Sequence, residues 1–248
     1  TFTQALSWIV AVREMAAVMG KESGQVTNLI ADEGGLSLTF SSIEKACEFV
    51  VSAIEKVGLQ VGNQVSLALD VAATQFYDGE KYNLATIGKS YSPGEFVKYI
   101  SQLTSNQPII SIEDPFAEDD WSSWQQFMEI APAKLQLLGD DLLTTNLQRL
   151  DKAIANKSAN AILIKPNQNG LVTSTLNVLK QARANNFNTV VSARSGENED
   201  SWLADLATGW SAGQIKVGST HGSERNAKWN RLLEFEATEE TRFINPFN

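Results

Sequence analysis

The chain has 248 residues, 43% of them hydrophobic, with six Trp and eleven Phe, enough large apolar groups for a sizeable core and too many for a disordered chain. A formal net charge of -9, without any basic stripe, excludes the usual nucleic-acid-binding surface. Cys47 is the single cysteine, so no intrachain disulfide forms, and no apolar run approaches the ~20 residues of a membrane span; a cytoplasmic location, with neither membrane nor nucleic acid as partner, is expected.

In chain order, residues 1–20 read as a helix, with Phe2, Leu6, Ile9, Val10 and Arg13 at helical spacing. Strands are predicted at 26–31, 65–71, 108–114, 135–140, 160–165, 189–193 and 214–218. Helices are predicted between and after them, at 42–57, 92–104, 120–130, 146–155, 172–184, 201–208 and 222–234. Asn146 stands where an N-cap belongs, with Leu147, Leu150 and Ile154 spaced to share a buried face. Residues 77–84, around the turn Asp78-Gly79, read as a small hairpin or excursion.

Alternating strands and helices imply an α/β fold with parallel strands. Asp70, Glu113, Asp140, Lys165 and Arg194 fall at strand C-terminal ends and Lys216 nearer mid-strand. Polar groups converging from six strands favour a TIM-type (β/α)8 barrel over an open sheet, whose ligands sit only near a switch point. One domain over 1–248 is expected. Seven strands are countable, so the eighth is predicted upstream of Thr1 and the chain reads as a fragment.

Asp70, Glu113 and Asp140 each follow an apolar strand. Three carboxylates on neighbouring strand ends repel one another unless a hard divalent cation sits between them, and Mg2+ is the natural occupant. Lys165 ends the apolar run Ala161-Ile162-Leu163-Ile164, where a neutral amine is favoured. Lys216 is expected to face the same mouth, two lysines and a metal lowering one another's proton affinity. Glu33, in Asp32-Glu33-Gly34-Gly35, is an acid on a tight turn. Arg194-Ser195-Gly196-Glu197 is suited to holding a phosphate or carboxylate. His221 reads as an exposed loop residue.

Taken in order, several segments closely resemble the enolase family: Asp32-Glu33-Gly34-Gly35, Ala68-Leu69-Asp70-Val71, Ser111-Ile112-Glu113-Asp114-Pro115-Phe116, Gly139-Asp140-Asp141-Leu142, Leu163-Ile164-Lys165-Pro166-Asn167-Gln168, Arg194-Ser195-Gly196-Glu197 and Gly213-Gln214-Ile215-Lys216. The set spans nearly the whole chain. The resemblance implies the C-terminal barrel domain of a magnesium-dependent hydro-lyase that dehydrates 2-phosphoglycerate to phosphoenolpyruvate through an enediolate, in glycolysis and gluconeogenesis. It makes Lys165 the base for the C2 proton and Glu33 the acid for the departing hydroxyl. It makes Asp70, Glu113 and Asp140 the metal ligands, Arg194 and Ser195 the phosphate site, and Lys216 the carboxylate site. It further implies a barrel with an irregular antiparallel start, a separate N-terminal α+β domain, and a dimer or larger homo-oligomer.

One departure stands out. The family usually has Ser-His-Arg where this chain has Ser192-Ala193-Arg194, and its sole histidine, His221, does not match that position. Two further readings follow: a paralog acting on a related three-carbon acid such as a phosphonate analogue, or a non-catalytic binding protein on the same scaffold.

Overall fold

The computed structural model describes residues 1–238 and 241–247. In chain order it contains α1 (Phe2–Glu22), α2 (Ile43–Lys56), β1 (Leu67–Asp70), a hairpin of β2 (Tyr82–Leu84) and β3 (Lys89–Tyr91), α3 (Pro93–Asn106), β4 (Ile109–Glu113), α4 (Trp121–Ile130) and β5 (Gln136–Gly139). There follow α5 (Leu147–Asn156), β6 (Ala161–Ile164), α6 (Pro166–Asn169), α7 (Val172–Ala184), β7 (Asn188–Ser192), α8 (Trp202–Gly209), β8 (Gly213–Lys216) and α9 (Ser223–Thr238). Local chemistry sets the helix starts. The Asn146 carboxamide accepts from the amides of Gln148 and Arg149, as its position predicts. At α3, Pro93 is pre-set for the first turn and Glu95 reaches back to the Ser92 amide at 2.8 Å.

Six strands form one parallel sheet in the order β1-β4-β5-β6-β7-β8. It curls into part of a barrel, which brings its two edge strands close enough for Lys216 of β8 to touch Asp70 of β1. Side chains alternate between its two faces. Outward residues such as Ile112, Leu137, Ile162, Ile164 and Val191 join the helices in the main core, while Leu138, Ala161, Leu163 and Val190 form a smaller cluster inside the curl. Below that cluster, Gln136 donates to Ser111 Oγ and exchanges bonds with Gln214, and Asn188 donates to Gln136. Above it come Asp70, Glu113, Asp140, Lys165 and Lys216. Period-two alternation thus turns these side chains into the curl, and their positions along the strands put the charged groups at one end and the amides at the other.

The structure corrects the reading of 26–31 as a parallel strand. Ile30 makes only an isolated antiparallel bridge to Leu36, because the chain doubles back through a turn closed by Gly34 N–H to Ala31 O and Ala31 N–H to Gly35 O. Val26, Leu29 and Ile30 are exposed, and the parallel sheet contains the other six predicted strands. The excursion at 77–84 is also longer than its turn suggests, since β2 pairs with 89–91. Ile9 and Leu147 lie exposed rather than on buried faces: α1 packs on α2 and α9 rather than on the sheet, and Leu147 is the first residue of α5. No helix among the described residues is long and apolar enough to cross a membrane.

Candidate active site

The charged ends of the strands open into a cleft of about 340 Å³. Glu33, Asp70, Asp140, Lys165, Arg194, Ser195 and Lys216 all line it, and Glu113 lies buried directly beneath. The eight residues singled out in the sequence therefore converge on one mouth. His221 stays outside it, exposed, with its carbonyl packed against the Glu33 turn.

Lys216 sits between two acids. Its Nζ donates to Asp70 Oδ2 at 2.8 Å and to both Glu113 oxygens at 2.8 and 2.9 Å. Burial, followed by the Asp70 charge, raises the Glu113 carboxyl well above the ordinary carboxylate range. Burial works the other way on Lys216, but Glu113 and Asp70 outweigh it and the ammonium holds its proton more firmly than a free lysine. Its nearest neighbours are these two carboxylates; the expected weakening of its proton affinity applies to a site that also holds a metal. Lys165, similarly, is ion-paired with Asp140, whose second oxygen accepts from Gln168 Nε2 at 3.0 Å. The two lysines are thus paired with the three acids that the resemblance assigns to a metal.

Two acids missed in the sequence belong to the same mouth. Asp114, in the left-handed region at φ 40, accepts from the amides of Asp140 and Asp141 at 3.0 and 2.7 Å. Burial pushes its carboxyl up to about 7, against the pull of those amides. Burial and Asp140 also raise Asp141. Carboxylate oxygens of Asp114, Asp140 and Asp141 lie within 4.8 Å of one another, a trio that shares only Asp140 with the one read from the sequence. The doublets Glu113-Asp114 and Asp140-Asp141 were the available signal, because consecutive residues at a strand's end can both reach the mouth once the pleat gives way to a turn.

The donor set suits a hard divalent cation, which takes carboxylate oxygens. Five acids (Glu33, Asp70, Asp114, Asp140, Asp141) and three bases (Lys165, Arg194, Lys216) line the cleft. Acids therefore outnumber bases in the cleft, and Glu113 lies directly beneath them. The acid–hydroxyl side is built separately: Ser195 Oγ donates to Glu33 Oε1 at 2.9 Å, and Arg194 Nη1 to Asn167 Oδ1 at 3.2 Å. Gly34 makes the Glu33 turn possible, since at φ +79 an added Cβ would stand 2.2 Å from the His221 carbonyl oxygen.

The arrangement offers proton-transfer groups, anion-holding groups and carboxylate ligands around one polar cleft. The family model described as enolase, C-terminal TIM barrel domain, matches residues 1–243. The chain belongs to that family.

Proposed function

We propose that the domain serves a magnesium-dependent dehydration of 2-phosphoglycerate to phosphoenolpyruvate. The observation that carries this reading is the convergence of Lys165 and Glu33 on a cleft that also presents Arg194, Ser195 and Lys216. Asp70, Glu113 and Asp140 would hold the metal, whose chemistry is to place positive charge beside the substrate carboxylate as negative charge develops there. Lys165 Nζ takes the proton from C2. For this it must leave Asp140, with which it is ion-paired. Glu33, held by Ser195, gives a proton to the C3 hydroxyl so that it departs as water. Arg194 and Ser195 hold the phosphate, Lys216 the carboxylate, and the small phosphorylated acid is fixed at both ends.

The test is phosphoenolpyruvate formation from 2-phosphoglycerate by the full-length protein with and without Mg2+. Activity that needs Mg2+ and falls by about 1,000-fold or more in Lys165→Ala is expected, in line with loss of a general base and its positioning. No turnover above that variant sinks the proposal. Ala193, which lines the cleft with only a methyl group, favours a second reading, a related three-carbon acid as substrate. Faster turnover of the corresponding phosphonate would select it.

A further inference from the structure

Beneath the mouth, α9 carries two cations removed from water: Arg225 is 1% exposed and Lys228 is 0%. Neither lines the cleft. A buried guanidinium is costly unless its donors are used; here Nε donates to Glu224 Oε1 at 3.3 Å and both Nη groups donate to main-chain carbonyls. Arg225 Nη1 donates to Arg194 O and Val217 O, both at 2.8 Å. Nη2 donates to Ser195 O at 2.6 Å and Asp32 O at 3.4 Å. These carbonyls come from three separate stretches: the turn bearing Glu33, the loop bearing Arg194 and Ser195, and the residue after Lys216.

Close packing leaves the three stretches little freedom. Gly218, at φ +116, has room for no side chain, since an added Cβ would lie 2.7 Å from Glu33 O and 3.0 Å from Arg225 Cδ. The Ser219 amide donates to Glu33 O at 2.8 Å. Lys228 acts on one stretch alone. Its Nζ bonds Asn198 O at 2.6 Å and Glu197 Oε2 at 2.8 Å, while Glu197 Oε1 accepts from the Arg194 amide at 2.9 Å.

We propose that Arg225 is a positioning residue that locks the proton-donor turn to the anion-holding loop, with Lys228 and Glu197 securing the anion-holding loop only. The inference rests on the roles given to Glu33, Arg194 and Ser195 under Proposed function. A planar five-donor fork can serve three backbone stretches at once, and a lysine at the same place cannot. Misplacing a reacting group by about 1 Å can cost about 100-fold in rate.

The test compares Arg225→Lys and Glu197→Gln with the unaltered full chain, in turnover of 2-phosphoglycerate with Mg2+ and in amide hydrogen exchange of the substrate-free protein. Arg225→Lys is expected to lose about 100-fold in kcat/KM, with kcat falling as KM rises, and to lose exchange protection over both 32–35 and 194–198. Glu197→Gln is expected to raise KM about tenfold at nearly unchanged kcat and to loosen 194–198 alone. Kinetics for Arg225→Lys within threefold of the unaltered protein, or unchanged protection in both segments, overturns the proposal. If Arg225→Lys does not fold, Glu197→Gln decides: loosening confined to 194–198 with a rise in KM supports the division of labour, and any other pattern overturns it. An unaltered protein inactive on 2-phosphoglycerate would overturn the functional reading, and the exchange pattern would still judge the clamp.

Discussion

Lys216 Nζ lies 2.8 Å from Asp70 Oδ2, a contact between the last and first strands of the parallel sheet. The same ammonium satisfies both oxygens of Glu113, whose side chain is only 5% exposed. One lysine therefore joins the sheet's edges and pairs with a buried acid between them.

Replacing Lys216 by Met should destabilise the protein without added metal by about 1–3 kcal/mol, because the buried Glu113 loses the donor to both its oxygens and must take up a proton. Added Mg2+ should return part of that loss by giving Glu113 another cation. Urea unfolding with and without MgCl2 checks both statements. The same Mg2+ response in variant and unaltered protein would count against them.

Two carboxylate trios overlap at Asp140, and metal titration separates them. Asp70→Asn should abolish the Mg2+-induced rise in thermal midpoint, while Asp141→Asn should keep most of it. In the unaltered chain, Mg2+ at about 100 times its Kd stabilises by about 2.7 kcal/mol through mass action, and a chelator should reverse this. A response that survives in Asp70→Asn and vanishes in Asp141→Asn would assign the ion to Asp114, Asp140 and Asp141.

The six parallel strands were legible because each is a short apolar run ending in a polar residue, and their charged ends predicted the mouth. Residues 26–31 share the apolar character but lack a neighbouring strand; a turn closed by Gly34 and Gly35 folds the run back, and no local pattern distinguishes the two outcomes. Asp114 and Asp141 were hidden behind the acids that precede them. The pairing of Lys216 with Asp70 and Glu113 was not legible, because it depends on which charges meet it across the curl, information held in tertiary structure alone. Arg225 gave no signal, being one cation on a polar helix whose burial follows from loops far away in sequence.

Tyr82 is fully buried, its hydroxyl donating to Asp120 at 2.7 Å and accepting from the Ala117 amide at 3.1 Å. Burial, then Asp120, raise its phenol above the ordinary value. A raised phenol favours the folded state while the unfolded tyrosine is also protonated, so this contribution is complete below about pH 10 and is lost as pH climbs above it. The loss should run at up to about 1.4 kcal/mol per pH unit. Tyr82→Phe should cost about 1–2 kcal/mol at pH 7 and lack that part of the alkaline decline, as denaturant melts at pH 7 to 11 would show.

Adjacent glycines in the Glu33 turn should behave differently. Gly34→Ala introduces a side chain at φ +79 and 2.2 Å from a carbonyl oxygen, so a loss of about 1–3 kcal/mol is expected. Gly35→Ala meets nothing within 4 Å and should stay within about 0.5 kcal/mol of the unaltered protein. If the proposed donor role of Glu33 holds, activity should fall in the first variant and persist in the second. Equal thermal midpoints for the two would refute the steric argument.

The curl is fastened at two heights by different chemistry. At the rim the fastening is ionic, Lys216 with Asp70 and Glu113, and below it is the reciprocal carboxamide pair of Gln136 and Gln214. Carboxamides do not titrate and gain little from low salt. Acid or concentrated salt should therefore unfasten the rim first and leave the keel intact, so the end of the barrel that carries the cleft can loosen while the opposite end keeps its shape.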